Sequence, residues 1–177
     1  MLKQRIITAL FMLPIALGGF FLLEGGVFAL FIAAVITVAA WEWAQLAGLT
    51  QQPLRLGFAG LVAVLLLLLF NNQQLAGWLM ALAMAWWALA SVLVLSFPAS
   101  SRYWASSPAR LLIGLLVLLP AWQGLLVLKQ WPHGNLLILA VMLMVWGADI
   151  GAYFAGRAFG KRKLAAEVSP GKSWEGV

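Results

Sequence analysis

The sequence predicts an all-α, polytopic transmembrane helical bundle with about six spans and both termini in the cytoplasm. Hydrophobic residues make up 64% of the 177 residues and charged residues 9%, far outside the range of soluble domains. The apolar runs are continuous and lack the alternation of barrel strands, and only helices and closed barrels satisfy the backbone in hydrocarbon. We therefore predict a single integral membrane domain over residues 1–177, in which residues 160–177 form a cytoplasmic loop.

The spans follow from length, because about 20 residues cross a bilayer. Polar or proline-containing joints separate six apolar runs, of which the third is short. The predicted spans are residues 6–23, 26–47, 56–70, 75–95, 111–128 and 136–159. The joints are, in order, residues 24–26, 48–55, 71–74, 98–108 and 129–135.

Charge placement predicts the orientation. With these spans, ten of the eleven Lys and Arg residues fall on the side of the N-terminus, and Lys129 falls on the other. The positive-inside rule then places both termini in the cytoplasm. The net charge of +6 therefore indicates contact with anionic membrane lipids and argues against nucleic acid as a partner. The absence of Cys, with one His, excludes disulfides and Cys/His zinc sites.

Asp149 is an acidic residue inside the sixth predicted span, within the run WGADIGAYFAGRAFG. A carboxylate in a span is costly unless it faces protein, water or a cation, so Asp149 is a candidate functional residue. Tyr153 shares its helix face at i+4, and small residues spaced four apart admit a neighbouring backbone. The alternative is a structural role at a tight helix crossing, which we favour for the glycines.

The tail combines basic residues with a Ser-Pro-Gly-Lys-Ser turn. Residues 166–173 fit a permissive phosphate-loop pattern, but a phosphate loop lies between a strand and a helix of an α/β domain, whereas this segment follows a membrane helix. A turn with exposed N–H groups beside Lys161, Arg162, Lys163 and Lys172 remains able to hold phosphates at the membrane surface.

At these residues the sequence resembles the bacterial phosphatidate cytidylyltransferases, also called CDP-diacylglycerol synthases. The resemblance rests on the run from Trp146 to Gly160, on GKRKL, and on SPGKSWEG at residues 169–176. It extends to LKQRIITAL near the start and to AWEWAQL around Glu42, and so covers the chain in order. Trp41 and Trp43, beside Glu42, are predicted to be interfacial.

The resemblance implies an enzyme of the bacterial inner membrane that joins CTP and phosphatidate into CDP-diacylglycerol and pyrophosphate, using Mg²⁺ as cofactor. The partners are then CTP, phosphatidate and membrane lipids, and a homodimer is one option. The candidate catalytic residues are Asp149, Lys172 and Glu175. The candidate substrate-binding residues are Lys161, Arg162, Lys163, Ser169, Ser173, Tyr153 and Glu42.

The chain departs from the family pattern in one respect. Family members continue beyond the position of Val177 into a signature with paired aspartates, and nothing like that signature occurs here. We therefore expect a truncated chain that is inactive alone, with the metal ligands beyond its end. Two alternatives stay open: a CTP-dependent polyprenol or dolichol kinase-like protein, which shares the Ser-Pro-x-Lys motif, and a non-enzymatic small multi-pass carrier that uses Asp149 as an ion site.

Overall fold

The computed structural model describes residues 2–165 and 169–176, and the side chains from residue 10 onward except 11, 12 and 165–170. The described chain forms two compact units, Met1–Trp131 and Pro132–Val177. The first unit contains the helices α1 (Leu2–Phe21), α2 (Gly25–Leu46), α3 (Gln52–Asn71), α4 (Leu75–Leu95), α5 (Ser101–Trp104) and α6 (Ser107–Gln130). The second contains α7 (Gly134–Phe159), the strands β1 (Lys163–Ala165) and β2 (Ser169–Ser173), and a 3₁₀ turn, Trp174–Gly176.

The long helices confirm an all-α, multi-pass membrane protein. Within the described part of the chain, α2, α3, α4, α6 and α7 are each long and apolar enough to cross a bilayer. Helix α1 covers most of the first predicted span. The total of six spans and the cytoplasmic placement of the termini stay predictions. The third span is longer than predicted, because α3 begins at Gln52 with a proline in its first turn, where the missing N–H costs no hydrogen bond.

Helix α2 is the centre of the first unit, with α3 and α6 packed on it. Its buried side chains repeat at three- and four-residue intervals, as expected for one helix face. On α2 they are Phe28, Ala29, Ile32, Ile36, Ala40 and Ala44. The facing positions on α3 are Phe58, Ala59, Val62 and Leu66. Those on α6 include Gly114, Leu118, Trp122 and Leu126.

Two indole groups tie α6 to α2 through hydrogen bonds, one buried and one partly buried. The Nε1 of Trp122, which is 1% exposed, donates to the carbonyl of Ala29 at 3.0 Å. The Nε1 of Trp43 donates to the carbonyl of Arg110 at 2.8 Å, and the indole lies against Gly114. Trp43 is therefore more than the interfacial residue that the sequence predicts. A buried indole N–H needs such an acceptor, so these bonds also set how the two helices are rotated.

The chain end forms an antiparallel hairpin that the sequence does not predict. Lys163 pairs with Ser173 and Ala165 with Ser169, with an irregularity between the two pairs. The sequence predicts a loop over residues 160–177. Strands this short carry no readable alternation of apolar and polar side chains, so the pattern does not reveal them. Residues 166–168, which fall in the permissive phosphate-loop pattern, lie outside the described residues.

Candidate functional site

A cleft of about 380 Å³ lies in the second unit, between α7 and the segment from β2 to the 3₁₀ turn. Helix α7 contributes residues at three- and four-residue intervals along one face, and β2 contributes the Gly-Lys-Ser part of the turn motif. The lining residues are Asp149, Ala152, Tyr153, Gly156, Arg157, Gly171, Lys172, Ser173 and Gly176. The cleft therefore brings Asp149 of α7 together with the Gly-Lys-Ser part of the turn.

The polar side chains of α7 follow the cleft lengthwise. Asp149, Tyr153 and Arg157 are four residues apart, so they stand above one another on one face. From Asp149 to Arg157 the helix rises about 12 Å, at 1.5 Å per residue. Nη1 of Arg157 donates to the hydroxyl of Tyr153 at 3.2 Å. The face thus runs from a carboxylate through a phenol to a guanidinium, and the cation lies nearest the C-terminal end of α7.

The 3₁₀ turn packs on the small residues of α7. A Cβ added at Gly176 would lie 2.9 Å from both the carbonyl oxygen of Ala152 and the Cα of Gly156. The small residues of α7 therefore contact a neighbouring backbone, as their spacing predicts. That backbone belongs to the 3₁₀ turn of the same chain. This contact explains why the turn is glycine-ended and holds β2 beside the cleft.

Ser173 enters the cleft wall with its hydroxyl turned inward. The residue is 7% exposed, and its Oγ is buried without a hydrogen-bond partner among the described atoms. The Oγ faces α7, because a Cβ added at Gly156 would meet it at 3.4 Å and one added at Gly160 at 2.7 Å. In this arrangement the hydroxyl is closed to solvent. Its contact with substrate stays a prediction.

Glu175 binds the backbone at the start of the basic segment. Its Oε2 accepts from the N–H of Lys161 at 3.1 Å, and both carboxylate oxygens accept from the N–H of Arg162 at 3.3 Å. The pKa of Glu175 is lowered, first by its own backbone N–H and then by those of Lys161 and Arg162, with a further contribution from the Arg162 charge; partial desolvation opposes the shift. The carboxylate therefore stays ionised.

The predicted site residues fall into three groups. Asp149, Tyr153, Lys172 and Ser173 meet in the cleft. Glu175, Lys161 and Arg162 form the backbone cluster just described, and Lys163 lies on β1 opposite Ser173. Glu42 is exposed on α2 in the first unit, and Ser169 begins β2 with its side chain outside the described atoms. Arg157 also lines the cleft but is not among the residues predicted from the sequence. Its spacing of four residues from Tyr153 places both on one helix face and could have indicated it.

Carboxylates are sparse in the described part of the second unit. Asp149 lines the cleft, and both oxygens of Glu175 already accept N–H groups. Within residues 2–165 and 169–176, no three acidic or histidine side chains lie close enough together to hold a metal ion. Magnesium usually keeps several waters and is held by one or two carboxylates together with substrate phosphates, so Asp149 is the cleft carboxylate that could contribute to such a site.

The whole of this chain can be aligned with known proteins. Residues 3–177 match the cytidylyltransferase family. The chain is 67% identical over 177 residues to a phosphatidate cytidylyltransferase of Pseudomonas aeruginosa, covering all of this chain and 65% of the relative. It is 42% identical to the phosphatidate cytidylyltransferase of Haemophilus influenzae, covering all of this chain and 68% of that relative. A Brucella suis protein of the same name is 33% identical, with 99% of this chain and 62% of the relative covered.

The chain thus spans about two thirds of the length of these curated relatives. No solved structure matches it. The family match runs through both units and includes the cleft residues of α7 and the turn that packs on them. On these grounds the chain belongs to the cytidylyltransferase family.

Proposed function

We propose that this chain carries the nucleotide-handling part of a phosphatidate cytidylyltransferase in the bacterial inner membrane. The observation that carries the proposal is the cleft on α7, where Lys172 and Arg157 lie together at the end of a helix long enough to span the bilayer. Both proposed substrates are phosphates, and one of them is a lipid. A cationic cleft at the end of a membrane helix suits a reaction between such partners.

The proposed reaction is a substitution at the α-phosphorus of CTP. A phosphate oxygen of phosphatidate forms the new bond to that phosphorus, and the bond to the bridging oxygen breaks, so that pyrophosphate leaves. Phosphoryl-type transfer depends on positioning and charge neutralisation more than on a protein nucleophile. In the proposal, Lys172 acts as a point charge on a phosphate group and Arg157 offers a planar donor pair.

Asp149 has a different task in the proposal. A carboxylate repels phosphate, so its side of the cleft suits a cation or a hydroxyl group. Magnesium remains part of the proposal as the counter-ion of the nucleotide phosphates, since Mg²⁺ is commonly held by one or two carboxylates together with substrate phosphates. Removing the metal with a chelator should then weaken CTP binding by the chain.

The test is formation of CDP-diacylglycerol from CTP and phosphatidate by the purified chain with magnesium. It is run with the chain alone and with the chain co-expressed with the part of the Pseudomonas aeruginosa relative that the chain does not cover. We expect product in the co-expressed sample and none with the chain alone, because no cluster of three acidic or histidine side chains occurs among the described residues.

Each other outcome has a clear meaning. Robust turnover by the chain alone would refute the need for further carboxylates. With a polyprenol supplied in place of phosphatidate, transfer of the γ-phosphate of CTP to its hydroxyl, with release of CDP, would favour the kinase alternative. A homodimer stays a proposal, to be tested by the mass of the detergent-solubilised protein.

A further inference from the structure

We propose that Glu175 is a positioning residue, whose carboxylate fastens the start of the hairpin to its end and so holds Lys172 beside α7. The step from position to catalysis rests on the proposed function. The fastening itself is a property of the fold and is tested without substrate. This role differs from the catalytic role that the sequence resemblance implies for Glu175.

The contacts of Glu175 close the hairpin at its open end. Its carboxylate accepts the N–H groups of Lys161 and Arg162, 14 and 13 residues earlier in the chain. Beside it, the N–H of Trp174 donates to the carbonyl of Arg162 at 2.9 Å. Lys161 and Arg162 follow Gly160, the C-cap residue of α7, so these bonds tie the turn to the helix end.

Gly176, the next residue after Glu175, determines where the turn contacts α7. Gly176 packs against the backbone of α7 at Ala152 and Gly156, with no room for a Cβ. Glu175 therefore lies between a residue bonded to Arg162 and a residue packed on α7. Lys172, two residues before Trp174, is thereby held at the cleft. A change at Glu175 is expected to reach the cleft through Lys172 and not through a direct contact.

The Glu175 carboxylate also offsets repulsion among the cations of the tail. The described tail carries the cations Lys161, Arg162, Lys163 and Lys172, and Arg157 ends α7 nearby in sequence. Like charges held in one hairpin repel, and an ionised carboxylate among them offsets part of that repulsion. A group that accepts three N–H···O contacts in its ionised form is poorly suited to exchange a proton during a reaction.

The first experiment measures trypsin cleavage at residues 161–163 in the purified chain, in detergent and without CTP. Glu175→Ala should raise the cleavage rate there by about tenfold or more, as expected when hydrogen bonds to a charged group are lost. Glu175→Gln, which keeps one acceptor oxygen, should fall between parent and Glu175→Ala. Cleavage at Arg102 gives an internal reference for the first unit.

The matched control is Glu24→Gln, which removes one negative charge from an exposed glutamate at the start of α2 whose side chain makes no cap hydrogen bond. It should leave cleavage at residues 161–163 unchanged. Unchanged cleavage in both Glu175 variants would overturn the proposal, whatever their activity. Because no substrate is present, this arm is independent of the proposed function.

The second experiment uses the co-expressed, active sample. A positioning role predicts a higher KM for CTP in Glu175→Gln and a pH profile of kcat with the same limbs as the parent. Loss of one limb of that profile would make Glu175 a proton-transfer residue and overturn the proposal. Faster cleavage in the Glu175 variants, with no CTP-dependent product from the co-expressed parent, would uphold the fastening and contradict only the proposed function.

Discussion

Lys172 and Arg157 are the cations that line the cleft, and their surroundings differ. Both are exposed, but Arg157 donates to the Tyr153 hydroxyl on its own helix, whereas Lys172 lies on β2. A lysine ammonium is a compact point charge with freely rotating donors. Of the two, Lys172 is therefore the residue whose loss should act most directly on a bound phosphate.

Lys172→Ala is predicted to weaken CTP binding by the chain about tenfold at low salt, the size expected for one charge-assisted contact. The control is Arg102→Ala, which removes an exposed cation of the first unit that contacts Tyr103. Binding is measured by titration calorimetry at two salt concentrations. The difference between the variants should shrink at high salt, because exposed charges are screened over about 8 Å at physiological ionic strength. An equal loss in both variants would remove Lys172 from the site.

The ionisation of Glu175 gives a pH prediction. Its pKa lies below the ordinary 4.5, so its contribution to folded-state stability is present above the unfolded pKa and is lost as the pH falls through the lower, folded pKa. The backbone amide resonances of Lys161 and Arg162, followed by NMR, should shift with a midpoint below 4.5 in the parent. Glu175→Gln should abolish that titration. A midpoint above 4.5 would show that desolvation outweighs the hydrogen bonds.

Helix α6 shows how one small residue sets the packing of two elements. Gly114 receives the indole of Trp43, and a Cβ at Gly114 would lie 2.5 Å from the indole Nε1 and Cδ1. That nitrogen is also the donor to Arg110, one turn away on α6. The Trp43 indole thus makes both the contact with Gly114 and the hydrogen bond to Arg110, so a change in one interaction alters the other.

Gly114→Ala is predicted to destabilise the first unit by about 1–3 kcal/mol, the usual cost of overpacking. Gly124→Ala on the same helix is the matched control, since a Cβ there meets nothing within 4 Å. The control should be neutral or stabilising by about 0.5–1 kcal/mol, because alanine favours a helix over glycine. Unfolding in mixed micelles, monitored by Trp fluorescence, measures both. Equal stability of the two variants would contradict the packing described for Trp43.

The small-residue face of α7 leads to a parallel prediction for the tail. Gly176→Ala should displace the 3₁₀ turn, because its Cβ would meet backbone atoms at 2.9 Å that no side-chain rotation can move. Gly171→Ala, in the same hairpin, meets nothing within 4 Å and should leave the turn in place. Hydrogen exchange at the amides of Lys161 and Trp174 reports the displacement. Protection in Gly176→Ala equal to that in Gly171→Ala would contradict the packing of the turn on α7.

For the molecule as a whole, length and hydropathy were enough to locate the long helices, because the bilayer imposes a minimum apolar length. The sequence does not predict which side of each helix is buried. Helix α6 has no distinct apolar face, so nothing in its sequence marks Trp122 and Gly114 as buried positions. The stripe on α7 predicted a close neighbour but not which one. The hairpin is not predictable from local pattern, because its strands are short and its contacts, such as that of Glu175 with Arg162, join residues 13 apart in the chain.

Membrane topology is the prediction that concerns the entire chain. Reporter fusions after Leu128 and after Gly176 should report opposite sides of the membrane, because α7, with 26 residues, lies between the two points and is long enough to cross. The positive-inside rule places the second fusion in the cytoplasm. Reports from the same side would rule out the even number of spans that the charge pattern predicts.

Lys129, at the end of α6, donates from Nζ to the carbonyl of Phe20, in the last turn of α1, 109 residues earlier. A cation at the C-terminal end of a helix satisfies an otherwise open carbonyl and complements the helix dipole. During synthesis this partner does not exist until α6 has emerged, so the end of α1 must wait in contact with water or lipid headgroups. We therefore expect the end of α1, which also packs on α2, to reach its final arrangement only after α6 has docked. Site-specific crosslinking of chains arrested on the ribosome, before and after residue 129, measures that order.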